Sequence, residues 1–346
     1  MGGRISNCTS YSTITIGDNV GSCVFVGGIV GALQDGSTDN CHSYASIVVG
    51  DDAEFIMGFG GIAGTSEGGG CITNCFSSAT IVVGENYSSC EHIGGIVGHV
   101  EGGLISGNIA MNCIIPGIDD YAGAITGGPF NDVIHANNYY SNCTVGLNID
   151  DIGCRGSDIA ANDGAVKATI LLENEAAPAS IAGGEKVVFR REFKQGVSST
   201  VCLPVAIDES LASAAGKFFT FAGVDMTDPD DWTVVMQEVA GNNMVDGDLE
   251  ANTPYLFIPD ADGAVLFIGE ADGSSVTAGS ATNGNWTFKG TYESIEWNAG
   301  NADLGKIYGF AAQKYEAPDN DGDSNPDYVI NPGKFVKAAA GASIAP

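Results

Sequence analysis

The sequence is poor in positive charge, in long apolar runs and in helical periodicity, and each shortage excludes something. Only 13 of its 346 residues are Lys or Arg, against 43 Asp or Glu, which leaves a formal charge of −30. A chain this acidic is repelled by phosphate backbones and by anionic membrane surfaces, so nucleic acid is not an expected partner. The most apolar stretch, Cys23 to Leu33, is eleven residues long and contains three glycines. A bilayer span needs about 18 to 20 apolar residues, so no transmembrane segment is expected. The start lacks the apolar core of a signal peptide. Met1-Gly2-Gly3-Arg4-Ile5-Ser6 formally fits a myristoylation pattern, but an excised mature segment behind an added Met explains it better. Also missing are H-E-x-x-H, a Gly-x-Ser-x-Gly nucleophile elbow and a phosphate loop ending in Gly-Lys-Ser/Thr. Metallopeptidase, serine-hydrolase and nucleotide-hydrolase chemistry therefore have no motif to rest on.

What the chain has in excess is glycine, 50 residues, about twice the ~7% of ordinary composition. It is unevenly spread. Residues 1–164 hold 31 of the glycines, nine of the ten cysteines, all four histidines and only two basic residues, Arg4 and Arg155. Residues 165–346 hold the other eleven basic residues and all three tryptophans. Two domains with different construction rules are expected, 1–164 and 165–346.

The first is repetitive. Asn7-Cys8, Asn40-Cys41 and Asn74-Cys75 are 33 and 34 residues apart, and the same step relates Gly27-Gly28-Ile29-Val30-Gly31, Gly60-Gly61-Ile62-Ala63-Gly64 and Gly94-Gly95-Ile96-Val97-Gly98. Between them run Ser12 to Gly17, Ala45 to Gly50 and Ala79 to Gly84, each a β-branched run with two-residue alternation. A fourth unit reads as degraded, with Asn108-Ile109 in place of Asn-Cys and Gly123 to Gly127 after a shorter interval; a fifth is fainter, around Asn137 to Cys143. A unit of about 33 residues cannot bury its own apolar face, but stacked units supply each residue with its equivalent as a partner. The expected fold is all-β: an N-terminal right-handed parallel β-helix-like solenoid of about five turns, followed by a β-sandwich built from short strands such as Lys186 to Phe193 and Pro254 to Ile258. Only Glu209 to Ala215 suggests a helical turn or two.

The pattern I-x-N-C-x-S, then a β-run, then V/I-G-G-I-V/A-G resembles the GLUG-type repeats of bacterial surface proteins, including some immunoglobulin A peptidases, over about residues 4–155. In the second half, Ser199 to Pro204, Gly216 to Phe219, Ala251 to Phe257 and Gly333 to Pro346 look like a C-terminal β-domain of secreted proteins from Bacteroidetes-like gut bacteria. Those relatives continue past the last Pro. The resemblance implies a non-enzymatic adhesin or stalk module at the bacterial cell surface or outside the cell, facing a host or matrix glycan or protein, or other surface proteins. The alternative is a carbohydrate-binding or carbohydrate-processing protein that uses the solenoid face. The repeat pattern begins by Ile5 without a polar cap, so further repeats or a cap are expected upstream.

Four sets of residues are candidates for chemistry. Cys8, Cys41 and Cys75 recur at one position of successive units, as do Cys23 and Cys90, which favours a column of buried thiols over disulfides. Cys71 and Cys75 are the one tight pair, and zinc binding there lacks a second pair of ligands. His42, His92, His99 and His135 are scattered, which suits structural or solvated histidines. Asp51-Asp52, Asp119-Asp120 and Asp150-Asp151 offer paired carboxylates but sit where repeats turn. Last, Asp319, Asp321, Asp323, Asn325 and Asp327 place oxygen ligands at alternate positions around Gly322, like the start of a calcium loop, although Ile330 stands where a bidentate Glu belongs. Ca²⁺ and a merely acidic hairpin tip are both open. Trp232, Trp286 and Trp297 read as core residues rather than a sugar-stacking face.

Overall fold

The computed structural model describes residues 2–116, 120–128, 131–145, 148–149, 165–173, 177–227, 233–240, 249–292, 295–297, 308–310, 329–330, 335–337 and 342–344. By its contacts the chain divides into two units, Met1–Ile170 and Leu171–Pro346.

In the first unit the 33- to 34-residue step of the sequence is one turn of a β-solenoid. Four parallel sheets run along it, and about four turns are complete. The first sheet stacks Arg4–Ser6, Ser37–Asp39, Cys71–Thr73, the end of Val97–Ser106, and Asn131–Ala136. The second stacks Thr9–Ser10, His42–Ser43, Phe76–Ser77, Ile109–Met111, Asn138–Ser141 and Ala165–Lys167. The third stacks Thr13–Ile16, Ser46–Val49, Thr80–Val83, Ile114–Ile115 and Thr144–Val145. The fourth stacks Ser22–Gly27, Phe55–Gly60, Ser89–Gly94 and Asp120–Gly123. From the fourth sheet the chain turns back into the first through Val30–Gln34, Ala63–Glu67 and the start of Val97–Ser106.

The turns explain the motifs. An L-residue seldom adopts a left-handed backbone, and Asn tolerates it best after Gly. Asn7, Asn40 and Asn74 take φ of 55°, 48° and 54° at one corner, and Asn19, Asp52 and Asn86 take 58°, 59° and 63° at another. The cysteine after each corner Asn is the first side chain turned inward. In Gly-Gly-Ile-Val-Gly the glycines are steric. A Cβ on Gly27, Gly60 or Gly94 would overlap the carbonyl oxygen of Val30, Ala63 or Val97, three residues on. One on Gly28, Gly61 or Gly95 would overlap the backbone of the next turn. The solenoid bore is filled by columns such as Ile47–Ile81–Ile115, Ile62–Ile96–Ile125 and Ile72–Ile105, all fully buried.

One unit of the repeat is phased differently from its sequence reading. Ile109 pairs with Phe76, so Gly107 and Asn108 come level with Asn74 and Cys75. Gly107 takes the left-handed corner at φ 68°, and Asn108 is buried in the cysteine position. The column therefore runs Cys8, Cys41, Cys75, Asn108, Asn138, changing from thiol to amide halfway. An Asn two positions from a repeat step can serve either as corner or as core, and only the register tells which.

In the second unit, Thr169–Leu172, Lys186–Phe193 and Gly263–Glu270 form a three-stranded sheet. Ser199–Cys202, Pro254–Pro259, Gly216–Asp225, Thr233–Ala240 and Val329–Ile330 form a five-stranded antiparallel one. Phe189, Phe193 and Phe267 from the first meet Phe218, Tyr255 and Phe257 from the second in one buried cluster, with Phe218 and Phe257 stacked at 4.5 Å. The seven-residue helix Glu209–Ala215 lies where the sequence suggested a helical turn. No helix among the described residues is long and apolar enough to cross a membrane.

Candidate functional site

The residues singled out in the sequence fall in different places. The acidic loop Asp319 to Asp327 lies outside the described residues, as do Asp119, Asp150, Asp151, Arg155 and Trp232. Asp51 sits at an exposed corner, where its carboxylate accepts the Glu85 amide at 2.8 Å, one turn on. Asp18 does the same for the Asp51 amide at 3.0 Å. Asp52 is the left-handed corner residue beside it. Among the described residues no three His, Cys, Asp or Glu side chains converge as metal ligands.

The cysteines of the described residues are all unbridged. Cys41 and Cys75 are buried, and each thiol donates to the carbonyl two residues earlier, Asp39 at 3.4 Å and Thr73 at 3.2 Å. Burial pushes the Cys75 thiol well up, and its hydrogen bond with Cys41 adds to that. Cys8 differs from the expected buried column: it is exposed, because in the first turn the bore is covered from one side only. Cys113 and Cys143 form a second, fully buried column that continues Ala45 and Ala79. The hydrogen bond from Cys113, then burial, holds the Cys143 thiol protonated.

Two of the scattered histidines come together. His92 lies in the fourth sheet at φ 60°, the position taken by Phe25, Gly58 and Tyr121 in other turns. His99 lies after the glycine corner, level with Thr65 and Ala32. The glycines let the two strands approach, and the rings meet edge to face at 4.9 Å. Tyr121 stacks on His92 at 4.7 Å, and Phe25 lies 6.4 Å from His99. His92 donates from Nδ1 to the Gly127 carbonyl at 3.2 Å, leaving Nε2 at 3.9 Å from Glu91. Thr65 Oγ1 donates to Glu67 at 3.2 Å, so His99 Nδ1 donates to Thr65 at 3.1 Å, and its Nε2 faces Glu101 at 3.8 Å. Burial pulls the His99 pKa below its usual value, with Glu101 and Glu67 opposing. The cluster can take up a proton, and its rings close the outside of the corner.

A different surface opens on the third sheet. Its outward positions are Thr13 and Thr15, Ser46 and Val48, Thr80 and Val82, then Ile114. Beside them runs the row Tyr11, Tyr44, Ser78. Tyr11 and Tyr44 stack almost parallel, 4.9 Å between centroids and 5° between planes, and Phe76 follows at 5.6 Å. Tyr11 is 76% exposed, Ile114 50%, Val82 44% and Tyr44 40%. The stretches 10–17, 43–50, 77–84 and 111–117 contain no Asp, Glu, Lys, Arg or His. The sequence signal for this face was available, since Tyr11 and Tyr44 are one repeat apart, but the tyrosine recurs only twice and so does not mark the repeat. Comparison with protein-family models, with curated proteins and with solved structures finds no match to this chain.

Proposed function

We propose that this chain is a non-enzymatic module of a secreted or cell-surface bacterial protein, a GLUG-like β-solenoid joined to a C-terminal β-sandwich, that serves as adhesin or stalk. Its partner is a host or matrix glycan or protein, or another surface protein. The observation that carries this reading is the direction of the solenoid's polar side chains. Asp18 and Asp51 cap the backbone of the next turn, Asn40 donates to Asn7 at 2.8 Å, and Asp39 receives Thr73 at 2.7 Å and Asn74 at 3.2 Å. Asn108 donates to the Ile72 carbonyl and to Asn138, and Asn138 to Ile105. Carboxylates and amides that a glycosidase or lyase would aim at substrate are used here to tie one turn to the next, which is what a rod requires.

The sandwich part of the reading is supported by the phenylalanine cluster shared by the two sheets of the second unit. In the same reading the loop carrying Asp319, Asp321, Asp323, Asn325 and Asp327 takes Ca²⁺, as extracellular modules often do. The test is a glycan and matrix-protein binding array with the purified chain, run beside a polysaccharide turnover assay. Binding without turnover is expected. Turnover that disappears in Asp119→Asn with Asp120→Asn would overturn the reading.

A further inference from the structure

We infer that the outer face of the third sheet, from the Tyr11–Tyr44 stack across to Ile114, is a docking strip for an uncharged polysaccharide chain. The inference rests on the binding-module reading and names both its surface and its ligand class.

Charge chooses the face. The molecule carries −30, yet four consecutive turns present this strip without a charged side chain. Acids resume at the next corner, with Asp18, Asp51, Asp52 and Glu85. A polyanion would be repelled by that border. A polycation would gain more on the acidic corners than on the strip. What fits a neutral face is a neutral partner.

Side-chain chemistry narrows it further. The strip alternates hydroxyls, from Thr13, Thr15, Ser46, Ser78 and Thr80, with the exposed apolar groups Val82 and Ile114 and the Tyr11 and Tyr44 rings. Tyrosine offers an apolar body with a polar tip, so it contacts C–H faces and hydroxyls together. A sugar chain has the same mixture. Because the tyrosines are locked in a ladder on a sheet, little side-chain entropy remains to be lost on binding.

Area argues against a second copy of the chain. Four turns at ~4.8 Å by about five residues at ~3.3 Å make a strip of roughly 300 Å². Specific protein interfaces bury about 800 Å² on each partner. Two bodies of charge −30 would also have to approach. A glycan chain lying along a strip needs neither the area nor the charge balance.

The experiment is affinity electrophoresis of the full chain through native gels containing mixed-linkage β-glucan, galactomannan or arabinoxylan, with polygalacturonate as the charged control. Retardation by at least one uncharged polymer is expected, unchanged between low and high salt. Tyr11→Ala with Tyr44→Ala, exposed positions that leave the melting temperature in place, should weaken it at least about tenfold. Ile114→Glu should do the same, while Asp52→Asn, off the strip, should not. The inference is overturned by retardation that survives the tyrosine double variant, by retardation that salt abolishes, by the absence of retardation in every neutral gel, or by a dimer in sedimentation that the double variant dissolves. Array binding that persists in the double variant would discard the strip and keep the binding-module reading. Silence of the array as well would discard both.

Discussion

Gly61→Ala probes whether the glycine motif is steric. The added Cβ would overlap the Gly95 carbonyl oxygen of the next turn and Ser77 Oγ, and would lie 3.0 Å from Ala79 Cβ. Ser77 is fully buried, and Gly95 is backbone, so neither can swing aside as a surface side chain would. Relief must come from separating two turns at the corner where Gly61 N donates to Gly94 at 3.3 Å and Ile62 N to Ile96 at 2.8 Å. Overpacking of a tight core costs about 1 to 3 kcal/mol, and weakening two ladder bonds adds roughly 1 kcal/mol each. The sum, about 3 to 5 kcal/mol, is a large share of the ~5 to 15 kcal/mol of an ordinary domain. At ~2 to 4 °C per kcal/mol for a unit of this size, a fall of roughly 10 °C or more is expected. Gly17→Ala is the control, because its Cβ would meet nothing within 4 Å and its φ is not left-handed. It should change stability by less than about 1 kcal/mol, in the stabilising direction. Calorimetry, with far-ultraviolet circular dichroism to follow the sheets, reads both variants. If Gly61→Ala melts with Gly17→Ala, the close-approach argument for the motif is wrong.

Three further outcomes are expected. Asn108→Ala strips a hydrogen-bond partner from the Cys75 amide, the Ile72 carbonyl and Asn138, and should cost about 2 to 4 kcal/mol by chemical denaturation; a loss below half a kcal/mol, on the scale of surface substitutions, would mean the amide column is not continuous in solution. Burial lowers the pKa of His99 and of His135, so the unfolded chain binds protons first as pH drops. Their stabilising contribution is complete above the ordinary histidine value of ~6.5 and is lost below it, at up to about 1.4 kcal/mol per pH unit for each group. Melting at pH 7.5 and 5.5 should show the fall, and His99→Phe should flatten it; a melting temperature rising on acidification would contradict the sign. For the acidic loop, Ca²⁺ at 100 times its dissociation constant should add ~2.7 kcal/mol if only the folded state binds it, and Asp321→Ala with Asp323→Ala should remove that gain. An identical midpoint in calcium and in chelator would make the loop a solvated tip.

The solenoid was legible because stacking in register writes the same demand into the chain every 33 or 34 residues. A left-handed corner asks for Asn, a close approach asks for Gly, and a bore position asks for Ile, Val or Cys. The phase of the fourth unit was not legible, since Asn108 satisfies the composition of a corner while its side chain lies in the core. Nor was the His92–His99 contact. The two lie seven residues apart on strands of different sheets, and only the glycine corner between them folds one onto the other. The strip on the third sheet was hidden for the opposite reason: its signal is what the repeats leave out, charge, rather than anything they share. Short β-rich segments between turn residues marked the strands of the second unit, but which strands share a sheet depends on pairings such as Ser199–Cys202 with Pro254–Pro259, about 50 residues apart in sequence.

The side-chain and backbone bonds between turns run along the solenoid axis, and that fixes how the molecule yields to a pull. Force applied between the ends of the rod loads each turn-to-turn ladder along its bonds, so the outermost turn peels before its neighbour is strained. In a sheet sheared along its strands, many bonds would share the load at once. Here extension proceeds in steps, each releasing one repeat of 33 or 34 residues and about 110 Å of chain. The thiol half and the amide half of the central column differ in how firmly they hold, so the steps are ordered: turns tied by Asn108 and Asn138 outlast those lined by Cys8 and Cys41. Such a rod lengthens by whole turns under load, and it re-forms from the turns that remain.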